Sequence, residues 1–291
     1  MNVTMATPFK ISTITATGSL ATDSIYIDID VVFDAVTIDP MCDEGVLFAE
    51  FGKRRKGVSK KMVRRKEAIV EKKHKKFDNQ LTLEYKIKMD EIHHTILNCK
   101  IFNNGNVQMT GVKYIEQGAI YLERVCEIVR GAAGAVSDPT ALHPCKYRVR
   151  MINCDYRVGF NIKRDALFNI LITEYNNVSS FEPCIYPGVK LQYMWKPGNQ
   201  GGICTCPEMC AINKKHSVCK KITIAIFQSG CVIITGAQSL LQINEAYAWI
   251  NEIIFGNKDS VEKKVVPLPT PSQGQKKKML IPKSQIQSFK H

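Results

Sequence analysis

Hydrophobic and polar residues alternate along several segments of the chain. In the segment 79–89, apolar residues occupy every second position, and polar or charged residues fill most positions between them. A period of two predicts a β-strand with one buried and one exposed face. Earlier in the chain, a strand, a short helix and a second strand are predicted at 9–20, 28–36 and 45–52. Asp28 and Asp30 flank the start of that helix, where carboxylates commonly serve as caps.

Two hairpin segments share one template. Residues 99–111 read CKIFNNGNVQMTG and residues 224–236 read IAIFQSGCVIITG. Four pairs of identical residues have the same separation of 125 positions: Phe102 and Phe227, Gly105 and Gly230, Thr110 and Thr235, and Gly111 and Gly236. Such a recurrence indicates a duplicated structural unit. Each copy is predicted to be a β-hairpin with an aromatic residue beside its turn, followed by a helix.

The order of elements repeats after a connector of small residues at 131–144, which follows a predicted helix at 113–130. In the second half, a strand, a helix, a strand, a hairpin and a helix are predicted at 148–160, 162–175, 186–195, 221–235 and 239–254. Two similar halves of mixed strands and helices predict an α+β fold. The segment 257–291 is rich in Pro, Ser, Gln and Lys without periodicity, and we expect a disordered basic tail.

The formal charge of +13 is unevenly distributed. The segment 53–76 holds thirteen Lys and Arg residues against two Glu, and the tail holds eight Lys against one Asp and one Glu. The rest of the chain is close to neutral. Blocks of this kind favour binding to a polyanion, with nucleic acid as the leading candidate. A localisation signal or a solubilising run would use the same charges, and charge alone does not separate these alternatives.

Other features limit the class of protein. No apolar run approaches the ~18 residues of a membrane span, and no secretory segment follows the first residues. Eleven cysteines, an odd number, favour a reduced intracellular protein over a disulfide scaffold. The sequence contains no motif of a phosphate-binding loop, a zinc protease or a serine hydrolase, which predicts a protein without enzymatic activity.

The segment 197–220 is rich in cysteine. Cys204, Cys206, Cys210 and Cys219 lie within sixteen positions, and cysteines in a reduced compartment commonly form tetrahedral zinc sites. Their spacing lacks the paired CxxC of familiar zinc folds, and thiols that bind no metal are the alternative. A long loop with few apolar residues gains structure from a metal. A structural zinc ion is therefore predicted, although no cofactor is expected to be required.

Three segments resemble the TATA-box-binding protein family: IFNNGNVQMTGVKYIEQ at 101–117, SSFEPCIYPG at 179–188 and IAIFQSGCVIITGA at 224–237. The resemblance covers residues 8–255, and its insertions resemble those of versions encoded by large nucleocytoplasmic DNA viruses. It implies a saddle, with a curved antiparallel sheet of about ten strands and four helices on the convex side. The implied units are a first repeat at 8–132 with a basic stirrup insertion at 53–76, a linker at 133–144, and a second repeat at 145–256 with the Cys-rich insertion at 197–220.

In this family, which is a standard example of minor-groove binding, two aromatic side chains per half insert between base pairs. The resemblance assigns this role to Phe102 and Phe227 in the hairpins, to Tyr186 in the second stirrup and to Phe77 after the basic run. Tyr186 departs from the family pattern, because its hydroxyl makes insertion into a base stack more costly. Core packing of Phe102 and Phe227 is the alternative, but strand parity places Phe227 opposite the buried isoleucines of its hairpin.

Further contacts to DNA are implied on the same sheet face. They comprise Lys100, Gln108 and Thr110 in the first hairpin, Ala225, Ile233 and Thr235 in the second, and Lys86 and Asn153 on neighbouring strands. Gln108 could donate to minor-groove acceptors, and Lys100 could reach a phosphate. The family has apolar residues at these two positions, so the first half is expected to be more polar and less selective for TATA. A plain solvated face is the alternative for the same residues.

The basic run would form a stirrup near phosphates that flank the site. The residues assigned to this role are Lys53, Arg54, Arg55, Lys56, Lys60, Lys61, Arg64 and Arg65. In this family the second stirrup contacts transcription factor IIB, and Glu182 and Ile185 match such positions. The implied partners are double-stranded A/T-rich promoter DNA, a transcription factor IIB-like protein and the RNA polymerase machinery, with a monomer on DNA and no membrane.

The sequence therefore predicts a general transcription initiation factor that binds and bends A/T-rich promoter DNA from the minor groove. The alternative is a saddle without TATA selectivity that acts as a sequence-nonspecific DNA-binding or protein-docking factor, and Lys100, Gln108 and Tyr186 favour it. A viral protein of this kind would work inside the infected cell, in the host nucleus or in a cytoplasmic viral factory. Packaging in the virion is an open alternative.

Overall fold

The computed structural model describes residues 6–59, 79–88, 94–199, 201–206 and 218–264. The first half contains β1 (Lys10–Ser19), α1 (Ile29–Ala35), β2 (Gly45–Phe51), β3 (Arg54–Gly57), β4 (Gln80–Lys88), β5 (His94–Phe102), β6 (Asn106–Val112) and α2 (Gln117–Gly131). The second half contains β7 (Cys145–Arg157), α3 (Arg164–Thr173), β8 (Ser179–Ser180), β9 (Val189–Trp195), β10 (Lys220–Ile226), β11 (Cys231–Ala237), α4 (Leu240–Gly256) and α5 (Lys258–Val261). A short 3-10 helix, Pro139–Ala141, lies in the connector.

The eleven described strands belong to one curved antiparallel sheet that is not closed. Its strand order is β3-β2-β4-β5-β6-β1-β7-β11-β10-β9-β8. Outward from the central pair β1–β7, the order β6-β5-β4-β2 on one side matches the order β11-β10-β9-β8 on the other. Because β1 and β7 pair antiparallel, a pseudo-twofold axis through this pair relates the two halves. The predicted α+β fold with two similar halves and a single sheet is confirmed, and β3 is an additional edge strand.

The two hairpin turns have the same backbone conformation. Gly105 has φ 77° and Gly230 has φ 74°, in the left-handed region that favours glycine. In each turn the glycine N–H donates to the carbonyl of the aromatic residue at 3.0 Å, from Gly105 to Phe102 and from Gly230 to Phe227. The duplicated sequence template therefore specifies a duplicated turn.

Each hairpin is also joined to the rest of its half in the same way. The carbonyl of the turn glycine accepts at 2.9 Å from the N–H of Leu20 in the first half and of Val158 in the second. Gly111 and Gly236 have φ 97° and 98°. Each lies where the register shifts by one residue, Gly111 in the pairing of β6 with β1 and Gly236 in the pairing of β11 with β7. A glycine in this conformation is typical of a β-bulge, which bends and twists the sheet locally.

One hydrophobic core joins the helices to one face of the sheet. Along β10 the fully buried residues alternate, as Ile222 and Ile224 show. They form one cluster with the inner sides of the helices, for example with Leu122 of α2 and Ile250 of α4. Each of the five described helices contributes buried residues to this cluster. The helices therefore cover one face of the sheet, called the helix face below, and the opposite face is called the open face.

The basic segment begins with a strand, which the sequence did not predict. Strand β3 pairs with β2 at the outer edge of the first half. The turn between them uses Gly52, whose φ of 56° lies in the left-handed region. The sequence predicted that β2 is cut off by this glycine and by the basic run. Four residues after the turn instead continue the sheet.

Helix α1 is held against this edge by cations of β3. Asp28 caps the helix as predicted, since its side chain accepts from the backbone N–H of Asp30. Arg54 forms an ion pair with Asp30, and its guanidinium carbon lies 4.6 Å from the ring centroid of Phe33. Lys56 Nζ donates to two carbonyls at the end of the helix at 2.9 and 3.0 Å. A helix of seven residues is too short to be stable alone, so these contacts stabilise its position.

The structure corrects three further details. Helix α2 begins at Gln117, four residues later than predicted. Strand β9 begins at Val189, so Tyr186 lies in the preceding loop. Glu84, on the predicted exposed face of β4, is only 5% exposed and accepts a hydrogen bond from Ser59 Oγ at 2.6 Å. A buried carboxylate requires such partners, because loss of hydration is costly.

No helix within the described ranges is long and apolar enough to cross a membrane. Several predicted features lie outside the described residues: Phe77, Lys60, Lys61, Arg64, Arg65, Cys210 and the tail beyond 264. The first residues of the predicted disordered tail are ordered instead: they form α5, and Val261 is fully buried in the core.

We predict that Gly230→Ala destabilises the protein, because the added Cβ would lie 2.2 Å from the carbonyl oxygen of Phe160. The left-handed conformation adds about 1–2 kcal/mol for a residue with a side chain. Gly131→Ala is the matched control, since nothing lies within 4 Å of a Cβ there, and alanine favours the last turn of a helix. Thermal or urea unfolding should show a clear loss of stability for Gly230→Ala only; equal stabilities would contradict the assigned turn.

Candidate nucleic-acid interface

Hydrogen-bond register arranges the open face into rows that cross the sheet, because directly paired residues of antiparallel strands point to the same face. One row, called the first row below, crosses the first half and consists of Thr82, Lys100, Gln108, Thr17 and Arg148. Its counterpart in the second half, called the second row, consists of Lys190, Ala225, Ile233, Asp155 and Lys10. The structure therefore places Lys100, Gln108, Ala225 and Ile233 on the open face. Ala225 is only 5% exposed, so its methyl group offers little contact area.

A pair of aromatic rings lies beside the second row. The ring centroids of Tyr186 and Phe227 are 5.7 Å apart, and the ring planes are inclined by 57°. Both side chains are half-buried. Lys190 Nζ lies 3.8 Å from the centroid of the Tyr186 ring, a cation–π contact worth roughly 0.5–1 kcal/mol at an exposed site. The two aromatic residues that the resemblance assigned to the second half are therefore neighbours.

Two neighbouring residues determine the position of this aromatic pair: Gly188 leaves space for the rings, and Arg164 fixes the loop that carries Tyr186. A Cβ at Gly188 would lie 2.9 Å from the tyrosine ring and 3.2 Å from the phenylalanine ring, so the glycine leaves space for both rings. Arg164 donates to the carbonyl of Pro187 and, at 3.4 Å, to Oε1 of Gln228 in the hairpin turn. Arg164 therefore ties the stirrup to the hairpin. No local pattern predicts this role, because the three segments meet only in the folded chain.

The first half presents a different surface. Phe102 occupies the position equivalent to Phe227 and is half-buried, but its predicted companion Phe77 lies outside the described residues. Lys100 and Gln108, which pair directly across β5 and β6, are half-buried and polar. The aromatic residue of this half is therefore accompanied by polar and cationic groups, as the sequence predicted.

Polar residues lie where the two halves meet. Asn153 pairs in register with Thr235 of β11 and with Thr13 of β1. The Thr235 hydroxyl donates to Oδ1 of Asn153, so the amide nitrogen is the donor that this side chain can offer to a base edge. Thr110 is the first-half equivalent of Thr235, and its hydroxyl oxygen lies 3.5 Å from a backbone carbonyl of β5.

The basic residues assigned to the first stirrup do not all face the same way. Arg54 and Lys56 contact α1 on the helix face, and their assignment to DNA phosphates stays a prediction. Arg55 forms an ion pair with Glu50 at 2.8 Å, and Lys53 is exposed. Lys86, also assigned to DNA, donates from Nζ to the carbonyl of Cys42 at 2.9 Å, so it binds the loop before β2.

The second stirrup presents an exposed turn. The N–H groups of Ile185 and Tyr186 both donate to the carbonyl of Glu182 at 2.9 Å. This turn leaves the Ile185 side chain 80% exposed. An isoleucine held in this way offers apolar area to a partner protein.

Three cysteines of the second insertion lie together. The Sγ atoms of Cys204, Cys206 and Cys219 all lie within 4.8 Å of one another. The distance from Cys219 Sγ is 3.6 Å to Cys206 Sγ and 3.8 Å to Cys204 Sγ. Four thiolates bound tetrahedrally at about 2.3 Å from a zinc ion are roughly 3.8 Å apart. Three of the four predicted ligands therefore have the spacing of a zinc site, and Cys210 lies outside the described residues.

Two other cysteines behave differently. Cys99 and Cys154 are fully buried beneath the helices. Burial raises the pKa of the Cys99 thiol strongly and that of Cys154 to about 12. These side chains remain neutral thiols at physiological pH and serve as small core residues.

The sequence did not single out a basic group on β7. Lys146, Arg148 and Arg150 occupy alternate positions and are all exposed. The alternation KYRVR at 146–150 was a visible signal for one charged face of a strand. Its significance depends on the pairing of β7 with β1, which no local pattern specifies.

Comparisons with known proteins show what the chain is similar to. Residues 146–256 match the family model described as transcription factor TFIID, or TATA-binding protein, TBP. A "TATA-box-binding protein-like" protein of Acanthamoeba polyphaga mimivirus is 26% identical over 254 residues, which cover 84% of this chain and 64% of that protein. A human "TATA box-binding protein-like 2" is 27% identical over 158 residues, covering 54% of this chain and 36% of that protein. Among solved structures, Methanococcus jannaschii TBP has 17% identity and a TM-score of 0.49, and the match covers 86% of this chain and 99% of that one.

The chain spans less than two thirds of the length of these curated relatives, 64% of the mimivirus protein and 36% of the human one. The family-model match lies in the second half, and the alignment with the mimivirus protein covers most of the chain. The resemblance that the hairpin and stirrup motifs indicated is thereby confirmed: the second half matches the TATA-binding protein family model, and most of the chain is similar to a TATA-box-binding protein-like protein.

Proposed function

We propose that this protein is a transcription initiation factor that binds double-stranded, A/T-rich promoter DNA in the minor groove and bends it. The observation that carries the proposal is the aromatic pair Tyr186–Phe227 on the open face, with ring centroids 5.7 Å apart. The equivalent Phe102 lies beside an identical turn in the other half. A sheet with one helix-covered face and aromatic side chains at both ends of the other face suits a bent duplex.

Flat apolar side chains are suited to this task. A ring inserted at a base step replaces part of the base stacking that is lost when the duplex kinks, and the bent DNA then contacts more protein surface. Gly188 and Arg164 fix the loop that carries Tyr186. Preorganisation of this kind reduces the entropy lost on binding.

Polar groups between the wedges fit the chemistry of the minor groove. A·T and T·A pairs present only the adenine N3 and thymine O2 acceptors there, whereas G·C pairs add a donor. The Asn153 amide nitrogen and Gln108 supply donors on the open face. Ile233 supplies an apolar surface that offers nothing to the guanine amino group.

A second candidate function is binding to duplex DNA without TATA selectivity. Lys100 and Gln108 favour it, because cationic and polar groups contact phosphates and sugars without reading the bases. Comparison of a TATA duplex with a scrambled A·T-rich duplex in gel shifts distinguishes the two functions. Equal affinities would support the second candidate.

We also propose that the second stirrup binds a transcription factor IIB-like protein, which would connect the DNA complex to the RNA polymerase machinery. The exposed Ile185 and the neighbouring Glu182 support this proposal. With a mimivirus protein among its relatives, we place this activity in the nucleus or in the viral factory of an infected cell. The protein would act as a monomer on DNA without catalysis.

We propose further that Cys204, Cys206 and Cys219 hold a structural zinc ion, with Cys210 as the fourth candidate ligand from the sequence. The Sγ spacing supports this assignment. Cys219 packs against Met194 on β9, and both residues are 5% exposed. The metal would therefore connect the insertion to the outer end of the β9–β10 hairpin.

We predict that Phe227→Ala weakens binding to an A/T-rich duplex by about tenfold or more. Stacking of an aromatic ring on a base contributes roughly 1–3 kcal/mol, and without the ring the kink is less favourable. Gel shift measures the affinity, and energy transfer between dyes on the two duplex ends measures the bend.

Tyr114→Ala is the matched control for Phe227→Ala. Tyr114 is 58% exposed and belongs to the segment that leads into α2, and the resemblance assigns no DNA contact to it. Circular dichroism and thermal unfolding verify that both variants are folded. Retained affinity and bend in a folded Phe227→Ala protein would refute the wedge role.

For the zinc site, elemental analysis of the reduced, purified protein should find about one zinc per chain. Cys204→Ser should lose most of the metal, whereas Cys184→Ser, which alters an exposed cysteine of the stirrup, should keep it. Cobalt substitution should give thiolate-to-metal absorption in the wild type and in Cys184→Ser, and most of this absorption should be lost in Cys204→Ser. A fully folded wild type without metal, after exposure to excess zinc, would exclude the site.

A further inference from the structure

The two halves can be compared residue by residue at the centre of the sheet. Leu20 and Val158 make the same hydrogen bond to the turn glycine of their hairpins, so positions of β7 are equivalent to positions of β1 that are 138 lower. The register confirms this equivalence. The pair Thr17 and Arg148 corresponds to the pair Lys10 and Asp155, and both are direct partners in the β1–β7 ladder.

Equivalent positions near the two wedges carry different charges. On the Phe102 side they are Lys146, Arg148, Arg150 and Thr17; on the Phe227 side the same positions are Pro8, Lys10, Ser12 and Asp155. The first set has a formal charge of +3, and in the second set one lysine is offset by one aspartate. On the hairpins, Lys100 and Gln108 correspond to Ala225 and Ile233, and on the next strand Lys190 corresponds to Thr82. These positions add one positive charge to each side, so the difference in charge comes from the central strands.

Hydrogen bonds orient the cationic side chains. Arg150 Nε donates to Thr17 Oγ1 at 2.7 Å, and the equivalent contact in the other half is Ser12 Oγ to Asp155 Oδ1 at 2.6 Å. Lys146 Nζ donates to the carbonyl of Thr22 at 2.6 Å. Lys146 also has φ 53°, a left-handed conformation that is uncommon for a lysine and is retained only where the surroundings fix it.

These groups line a groove. It has a volume of about 410 Å³ and runs between β1, β6 and the start of β7, with Phe102, Gln108 and Arg148 among its lining residues. Lys146 and Arg150 lie on its wall, whereas the described residues that line it include no carboxylate. A concave site with three exposed cations and no acid attracts an anion.

We propose that this groove binds backbone phosphates of the duplex at the Phe102 end of the open face, so that the two ends of the protein contact DNA by different means. The Phe102 end binds mainly through Lys146, Arg148 and Arg150, and the Phe227 end mainly through its aromatic pair. The inference rests on the proposed function, because it takes duplex DNA as the occupant.

The position of the groove identifies the occupant. It opens beside Phe102 and on the same face as Gln108, so a duplex whose minor groove covers these residues brings its flanking phosphates to the groove. Guanidinium groups bind phosphate oxygens in a bidentate manner. The first row adds Lys100 in line with Arg148, which extends the cationic path across the sheet.

The test compares the salt dependence of DNA binding between charge variants of the full chain. For a 20-base-pair A/T-rich duplex, the slope of log affinity against log salt should become shallower by about 1.8 in the double variant Arg148→Gln, Arg150→Gln, because each phosphate contact contributes about 0.9. The double variant Arg148→Lys, Arg150→Lys should keep most of the slope, since both charges remain.

The matched control is the double variant Arg124→Gln, Arg130→Gln. It removes the same two charges from exposed residues of α2, which lies on the helix face, and its slope should equal that of the wild type. Equal slopes for the wild type and the Arg148→Gln, Arg150→Gln protein would overturn the proposal, as would an equal decrease in the α2 control. Thermal unfolding verifies that each variant is folded.

Failure of this inference is distinguishable from failure of the proposed function. If DNA binds by the wedges but not through this groove, Phe227→Ala weakens binding, whereas the Arg148→Gln, Arg150→Gln protein keeps the wild-type slope of log affinity against log salt. If the open face does not bind DNA, neither substitution changes affinity. The inference is supported only when the Arg148→Gln, Arg150→Gln protein shows a shallower salt dependence of affinity and still shows the wedge-dependent bend at low salt.

Discussion

The antiparallel pairing of β1 with β7 is the interaction on which the rest of the structure depends. It joins two duplicated halves into one sheet and places the helices of both halves on the same face. The opposite face is then continuous across the molecule, and no described helix covers it. A continuous sheet face with half-buried aromatic side chains near both ends has room for an extended partner. The pairing also decides which side chains of the two halves meet, because each cross-sheet row passes through this ladder.

The duplication has preserved the backbone more strictly than the side chains. The two turn glycines differ by only 3° in φ, and the hydrogen bonds to Leu20 and Val158 have the same length. These positions are constrained by the fold, because a side chain at Gly230 would collide with a backbone oxygen. On the open face, by contrast, Lys100 replaces an alanine and Gln108 replaces an isoleucine of the other half. Substitutions on that face leave the core unchanged, so they are free to follow the partner.

Local signals were sufficient for the hairpins and the alternating strands, and they failed where distant segments meet. The turn of Gly105 could be predicted because its chemistry is contained in a few residues. Strand β3 could not be predicted, because a run of basic residues has no local strand pattern. Its position depends on the contacts of Arg54 and Lys56 with α1, which exist only in the folded chain. The aromatic Tyr186 was predicted from resemblance, whereas Arg164, which holds its loop, belongs to a different helix. The charged row through Arg148 depends on register shifts within the β1–β7 ladder, and no sequence pattern encodes their position.

The unequal ends of the open face imply an order of events if the protein binds DNA as proposed. Charge acts over a Debye length of about 8–10 Å at physiological salt, whereas an aromatic wedge contributes only after it contacts a base step. The cationic groove beside Phe102 would therefore attract the duplex first and orient it. Insertion at the Tyr186–Phe227 end requires a kink, which costs several kcal/mol of deformation, and so it follows once the first end is held. Two identical apolar ends would lack this attraction, and two identical cationic ends would lack the paired aromatic wedge that stabilises a kink.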